Sequence, residues 1–260
     1  MRQTIGKDND PGPGVSISTH SAEYSKGAHI PMHAHGSGQL IYASSGVMEV
    51  VSGANMWLIP PHFGLWIPPG VSHEIRMPQP VSMRTLYLRP RRAELPRRCT
   101  VLHVSPLLRE LILEVVRIGT LRHSNRTEAS LRNVLVTQME RASPVPTGVT
   151  LPKDSNALRI AHRLIASPGE HISLAALCAT VGISVRTLQR AFRRDAGIDF
   201  ETWRRQVRLM KAVQLLVSGS TVKEAAYAVG YSQSTAFVEL FKATFGTTPK
   251  AWTQTLEASC

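Results

Sequence analysis

Ser173-Leu-Ala-Ala-Leu-Cys-Ala-Thr-Val-Gly-Ile-Ser184 and Thr221-Val-Lys-Glu-Ala-Ala-Tyr-Ala-Val-Gly-Tyr-Ser232 are two versions of one pattern. Each opens on a hydroxyl residue suited to cap a helix, runs through small and apolar residues at helical spacing, and turns at a glycine. The first continues through Leu188, Phe192, Gly197 and Trp203, the second through Phe237, Phe241, Gly246 and Trp252. Val181-Gly182 maps onto Val229-Gly230 with an offset of 48, while the four later positions map with an offset of 49, so one residue is inserted after the second turn. A helix, a tight turn and a second helix at a steep angle make a helix-turn-helix. One such match is weak evidence, but two in register at one spacing are hard to obtain by chance.

The pattern also assigns faces. In the first copy Leu174, Leu177 and Val181 point inward, Ala175 and Ala176 let helices approach, Ser184 caps the following helix, and Leu188 and Phe192 anchor it. This leaves Val185, Arg186, Gln189, Arg190, Arg193 and Arg194 to meet a partner. In the second copy Val222, Ala225, Val229, Phe237 and Phe241 are internal, leaving Gln233, Ser234, Thr235, Ala236, Glu239 and Lys242 outside. Between the copies, Phe200 to Val217 reads as one long helix of about 25 Å at ~1.5 Å per residue. Such a strut suits two recognition helices placed about one DNA turn apart, roughly 34 Å, in successive major grooves.

Composition agrees. The 260 residues carry a net charge of +12, with 30 Lys and Arg against 18 acids, which favours a polyanionic partner. A 43% hydrophobic content supports a real core, and a mean hydropathy of −0.07 fits a soluble chain. No apolar run reaches the roughly 18 residues that span a bilayer, so no membrane partner is expected. Cys99, Cys178 and Cys260 form no framework, which suits a reducing cytoplasm. The polar start, Met1 to Gly14, lacks a signal-peptide core and reads as a disordered tail.

Residues 15–90 read as an all-β barrel or sandwich. Leu40-Ile-Tyr-Ala, Val47-Met-Glu-Val-Val, Met56-Trp-Leu-Ile and Met83-Arg-Thr-Leu-Tyr-Leu are rich in strand formers and broken by Pro and Gly turns. Residues 91–142 form a connector with two amphipathic helices. One follows the Ser105-Pro106 cap; the other spans about Glu128 to Arg141, with Leu131, Val134, Leu135 and Met139 on one face. They would cap the barrel or form a homodimer interface. The basic run Arg89, Arg91, Arg92, Arg97 and Arg98 suits either a brush with DNA or, the favoured reading, a solvated part of this connector. Residues 143–153, rich in proline, read as a linker, and 154–260 as an all-α domain with two helix-turn-helix motifs joined by the long helix.

His33 and His35 are two apart, so on a strand they share a face. Gln39 follows, and His73 closes the later run Gly64-x3-Pro68-Pro69-Gly70-Val-Ser-His73. Three imidazoles are a donor set for a divalent metal, with Gln39 or water as a further ligand. They equally suit the polar lining of a small-molecule pocket without metal, or a purely structural role. Trp57 and Trp66, with Tyr42, Met48, Met56 and Phe63, are candidates to line an effector pocket or to be ordinary core.

The stretch from Ala157 to Thr253, closing in Gly230-Tyr-Ser…Phe237…Phe241-Lys-Ala-Thr-Phe-Gly246-Thr-Thr-Pro249…Trp252, resembles the AraC/XylS family of bacterial transcription regulators. The resemblance implies recognition helices at about Val185–Arg194 and Thr235–Phe245. It also implies double-stranded promoter DNA as a partner, and RNA polymerase too if the protein activates. Glu239 departs from the basic residue usual at its position, so the first copy is the better base reader. The runs around His33, His35, Gln39 and His73 resemble the two cupin motifs, with Gln39 where metal-binding cupins carry Glu. The order of parts resembles the cupin-headed branch of these regulators: a cupin-like barrel binding a small-molecule effector, two helices, then the DNA-binding domain. The rival readings are a metal-dependent cupin enzyme, a dioxygenase or isomerase, and a ligand-independent architectural DNA binder. Gln39 and the complete double motif argue against an enzyme, so no catalytic residues are expected.

Overall fold

The computed structural model describes residues 9–89, 95–142 and 148–257. Its contacts divide the chain into two units, Met1–Gly53 with Ile59–Val145, and Ala54–Leu58 with Pro146–Cys260. In chain order the strands of the first half are β1 (Val15–Tyr24), β2 (His29–His33), β3 (Gly38–Ser45), β4 (Met48–Ser52), β5 (Asn55–Ile59), β6 (Phe63–Ile67), β7 (His73–Arg76), β8 (Val81–Leu88) and β9 (Thr100–His103). Then come α1 (Pro106–Ile118), β10 (Thr120–Arg122), α2 (Arg126–Arg141) and β11 (Gly148–Thr150).

In the first unit, one antiparallel sheet runs β10-β1-β8-β3-β6-β9. In a second sheet, β7 pairs with both β4 and β2, setting His33 opposite His73. Side chains alternate across β3, β6 and β8. Leu40, Tyr42, Trp66, Leu86 and Leu88 face a core completed by Leu108, Ile112 and Val115 of α1 and by Leu135, Val136 and Met139 of α2. The two amphipathic helices therefore pack on a face of this sheet. Ser105 caps α1 as its sequence implies, its hydroxyl accepting from the Leu108 amide. Val134, expected on the buried stripe of α2, is 45% exposed, as is Leu107 at 53%.

Three boundaries differ from the sequence reading. The sheet does not end at residue 90: β9 pairs with β6, and β10 with β1. Residues 1–8 of the expected tail lie outside the described residues, but Asp10 is seated on the turn after His35. Its carboxylate accepts from the Gly36 amide at 2.8 Å, the Ser37 amide at 3.1 Å and the Ser37 hydroxyl. Of the expected linker, 143–147 lie outside the described residues, as do Arg91 and Arg92 of the basic run, whereas β11 pairs with β5.

The second unit holds α3 (Ser155–Ala166), α4 (Leu174–Ala179), α5 (Val185–Ala196), α6 (Phe200–Val217), α7 (Val222–Ala228), α8 (Ser234–Phe245) and α9 (Pro249–Glu257). Pairs α4–α5 and α7–α8 are the two copies, and α6 spans the strut as expected. Gly182 (φ +71°) and Gly230 (φ +87°) make the turns in the left-handed region, which costs a glycine little. Aromatic rings repeat with the sequence: Phe192 meets Trp203 edge-on at 5.0 Å, and Phe241 meets Trp252 edge-on at 5.8 Å. Cys178 is buried in α4. Among the described residues, no helix is long and apolar enough to cross a membrane.

Candidate functional site

Helix α5 is tied down on one side by buried Leu188, Ala191 and Phe192, and at its start by the Ser184 hydroxyl, which accepts from the Thr187 amide at 3.1 Å. The opposite side exposes Arg186, Arg190 and Arg193, spaced i, i+4, i+7 and so on one stripe. Val185 and Gln189 are half-buried beside it. Arg194 is engaged elsewhere: its guanidinium donates twice to Asp195, at 2.7 and 2.8 Å.

Helix α8 repeats the geometry with other chemistry. Phe237 and Phe241 are buried, and Thr235, Glu239 and Lys242 are exposed at the positions that match Arg186, Arg190 and Arg193 with the same offset of 49. The first stripe thus carries three guanidinium groups, while the second carries a hydroxyl, a carboxylate and an ammonium. Ala236 is also exposed, and Ser234 is half-buried. Gln233 stands at the N-cap but makes no side-chain capping hydrogen bond.

In the first unit, β2, β7 and the segment before β3 bring His33, His35 and His73 together. One ring nitrogen from each lies within 4.8 Å of the others. His33 Nδ1 is 2.8 Å from the Pro31 carbonyl and His73 Nδ1 is 3.0 Å from the Val71 carbonyl. A carbonyl only accepts, so both Nδ1 atoms carry a proton, and in the neutral tautomer this leaves Nε2 as the acceptor. Those Nε2 atoms, both nitrogens of His35 and Oε1 of Gln39 are buried with no hydrogen-bond partner. Gln39 donates through Nε2 to the Tyr87 hydroxyl at 3.3 Å, which leaves its Oε1 as an acceptor. Burial pushes His35 and His73 down to about 4, so both are neutral near pH 7. The cluster is a concentration of acceptors, complementary to a cation or to a ligand with several donors.

Trp66 faces away from it. Trp66 pairs with Leu40 on the helix-covered face of the sheet and donates its indole N–H to the Pro96 carbonyl at 2.9 Å. Tyr42 lies on that same face. Trp57 is half-buried on β5 opposite Gly148, where a Cβ would overlap its ring. Strand alternation separates them: Gln39 and Tyr87 are one step out of phase with Leu40, Trp66 and Leu86. One residue that reading the sequence missed stands at the cluster: the Tyr87 ring lies 4.8 Å from that of His35. Two residues before it on β8, and so on the same face of the strand, fully buried Thr85 has an unpartnered hydroxyl. The signal was there: Thr85 and Tyr87 are two apart on β8, alternating with polar Arg84 and apolar Leu86 and Leu88.

Comparison with known proteins agrees with both halves. Residues 14–167 match the AraC-like ligand binding domain, and residues 177–255 match a helix-turn-helix domain. The HTH-type transcriptional regulator NimR of Escherichia coli is 30% identical over 219 residues, covering 84% of this chain and 80% of NimR. The HTH-type transcriptional regulator RipA of Corynebacterium glutamicum is 32% identical over 109 residues, covering 42% of this chain and 33% of RipA. With an AraC-like ligand-binding domain ahead of a DNA-binding helix-turn-helix domain, the chain belongs to the AraC/XylS family of transcription regulators.

Proposed function

We propose that this regulator works in the cytoplasm as a one-component switch, reading a bipartite promoter element with α5 and α8 in successive major grooves. The observation that carries this is the matched stripe: equivalent exposed positions on two helices that are joined by one strut. Arg186 and Arg190 suit guanine O6 and N7, and Gln189 suits adenine, each worth about 1–3 kcal/mol of discrimination. On α8, Gln233, Ser234 and Lys242 suit phosphate contacts, while Glu239 is repelled by phosphate and suits only a cytosine amino group. Selection of bound sequences from random DNA is expected to yield two half-elements about 10 base pairs apart. A single short motif, or salt-sensitive binding without a motif, overturns the two-groove reading.

The barrel's His33, His35, Gln39 and His73 form the sensing site. Two locked tautomers with free Nε2 atoms favour a divalent cation there, since metal ligands need deprotonated nitrogens. His33, His35 and His73 would hold the cation, and Gln39 would complete the set. Untagged protein grown with added metal is expected to carry close to one equivalent, lost in a His33→Ala/His73→Ala variant. Less than about a tenth of an equivalent returns the site to a metal-free pocket for an organic effector. The exposed Leu107 and Val134 support a homodimer through α1 and α2, which light scattering at micromolar concentration reads directly. If the protein activates, RNA polymerase is a further partner.

A further inference from the structure

The two helix-turn-helix motifs touch at a point the repeat does not reveal. The segment Ser167–Ile172, which leads into α4, lies against the turn between α7 and α8. Gly169 is packed so closely that a Cβ there would overlap the Ala228 carbonyl oxygen. From the other side, a Cβ on Gly230 would lie 3.1 Å from the Gly169 carbonyl oxygen and 3.1 Å from the Arg208 guanidinium. Backbone meets backbone here, with no side chain between to yield.

Helix α6 clasps the contact. Arg204 and Arg208 are one turn apart on it. Arg204 is buried and donates to the Glu170 carbonyl at 2.8 Å. Arg208 donates through Nε to the Pro168 carbonyl at 3.2 Å and lies over the Tyr231 ring, 5.7 Å from its centroid. Arg163 adds a two-pronged bond to Glu170, at 3.0 and 2.6 Å. One guanidinium therefore holds the entry of the first motif and the turn of the second together.

We infer that this Gly169–Gly230 contact, clasped by Arg204 and Arg208, sets the spacing and angle between α5 and α8 and thereby selects the distance between the two half-elements of the operator. The inference rests on the two-groove reading above. A strut alone fixes a length but leaves bending and twist at each end. A second point of contact removes that freedom. Adding one base pair turns the second half-element by about 34–36° around the DNA axis and shifts it along by ~3.4 Å, so a rigid pair must lose contacts. Gly169, Gly230 and Arg208 are thus positioning residues, acting through helices that touch DNA.

The test uses the full chain and the bipartite sequence selected from random DNA, with the spacer changed by one and two base pairs. The native protein is expected to bind the altered spacers about tenfold or more weakly. Gly169→Ala and Arg208→Gln are expected to narrow that penalty to about threefold or less, with base preference inside each half-element unchanged. Arg208→Lys, which keeps the positive charge and an N–H-donating group but not the planar fork, is expected to retain part of the penalty. Arg208→Gln alters only a side chain, so it serves if Gly169→Ala does not fold, and thermal unfolding confirms that each variant is folded. If the native protein selects only one half-element, the two-groove reading falls and this inference with it. If the native protein is bipartite and both variants keep its spacing penalty, the inference alone falls.

Discussion

Trp203→Ala is expected to destabilise the DNA-binding unit by about 3–5 kcal/mol, the cost of emptying a site built around a large aromatic. Trp203 is fully buried where α5, α6 and β11 meet. It packs edge-on against Phe192 at 5.0 Å and stacks on Phe200 at 6.4 Å, and its indole donates to the Thr150 carbonyl at 3.0 Å. Truncation removes these ring contacts and leaves a backbone carbonyl without its donor, a further ~1 kcal/mol. Against a total stability of about 5–15 kcal/mol this is a large fraction. The melting temperature should fall by on the order of 20 °C for a unit of this size. Thermal unfolding followed by circular dichroism checks it. A shift of only a few degrees would mean that Phe192 and Phe200 collapse into the space and that the aromatic cluster is not what holds α5 to the strut.

Arg190→Ala is expected to weaken binding to the selected operator by about 1–3 kcal/mol, roughly 5- to 150-fold, and to flatten base preference at one position. The reason is placement: Arg190 is in the middle of the exposed stripe of α5, flanked by Arg186 and Arg193 and opposite buried Leu188, Ala191 and Phe192. Arg193→Ala, nearer the end of the helix, is expected to weaken binding to all sequences alike and to lower the salt slope by about one. Repeating the random-sequence selection with each variant separates the two behaviours. If Arg190→Ala also weakens every sequence equally, its contact is with phosphate, and Arg186 and Gln189 become the readers. Glu239 stands at the position equivalent to Arg190 in α8. Its carboxylate is suited to a cytosine amino group and repelled by phosphate, which is why the larger effect is expected in the first copy.

The DNA-binding half was legible because its signals are local. Glycine turns, hydroxyl caps and a 3.6-residue apolar period need no distant partner, so Ser184, Gly182 and the bounds of α6 could be read directly. The histidines were legible as a pattern but not through strand alternation: β2 ends at His33 and His35 lies in the segment before β3, so the turn after β2 and the pairing of His33 with His73 bring the rings together. What could not be read depends on partners far along the chain. Strands β9, β10 and β11 span four, three and three residues, too short for any periodicity, and exist because β6, β1 and β5 offer edges to pair with. Trp66 and Tyr42 looked like pocket lining because aromatic residues near histidines suggest one. Which face they take is set by the pairing phase with Leu40 and Leu86, and the helices α1 and α2 cover that face. Val134 lies at a helical spacing consistent with the apolar stripe of α2, but the sheet beneath is reached by Leu135, Val136 and Met139, leaving Val134 in solvent.

The single residue inserted after the second turn has a mechanical consequence. It puts Gln233 rather than a hydroxyl residue at the start of α8, and that start goes uncapped, whereas Ser184 closes the start of α5. A missing cap removes about 1 kcal/mol from the first turn. What steadies that end of α8 comes instead from outside the helix, the Tyr231 ring set 5.7 Å from Phe237 and beneath the Arg208 guanidinium. The first turn of α8 therefore lies at the low end of the local-opening free energies, and its amides should exchange with solvent hydrogen sooner than those of α5. The molecule carries one stiff reading head and one compliant one, and the compliant head keeps more conformational freedom in free solution and gives up more of it on meeting DNA.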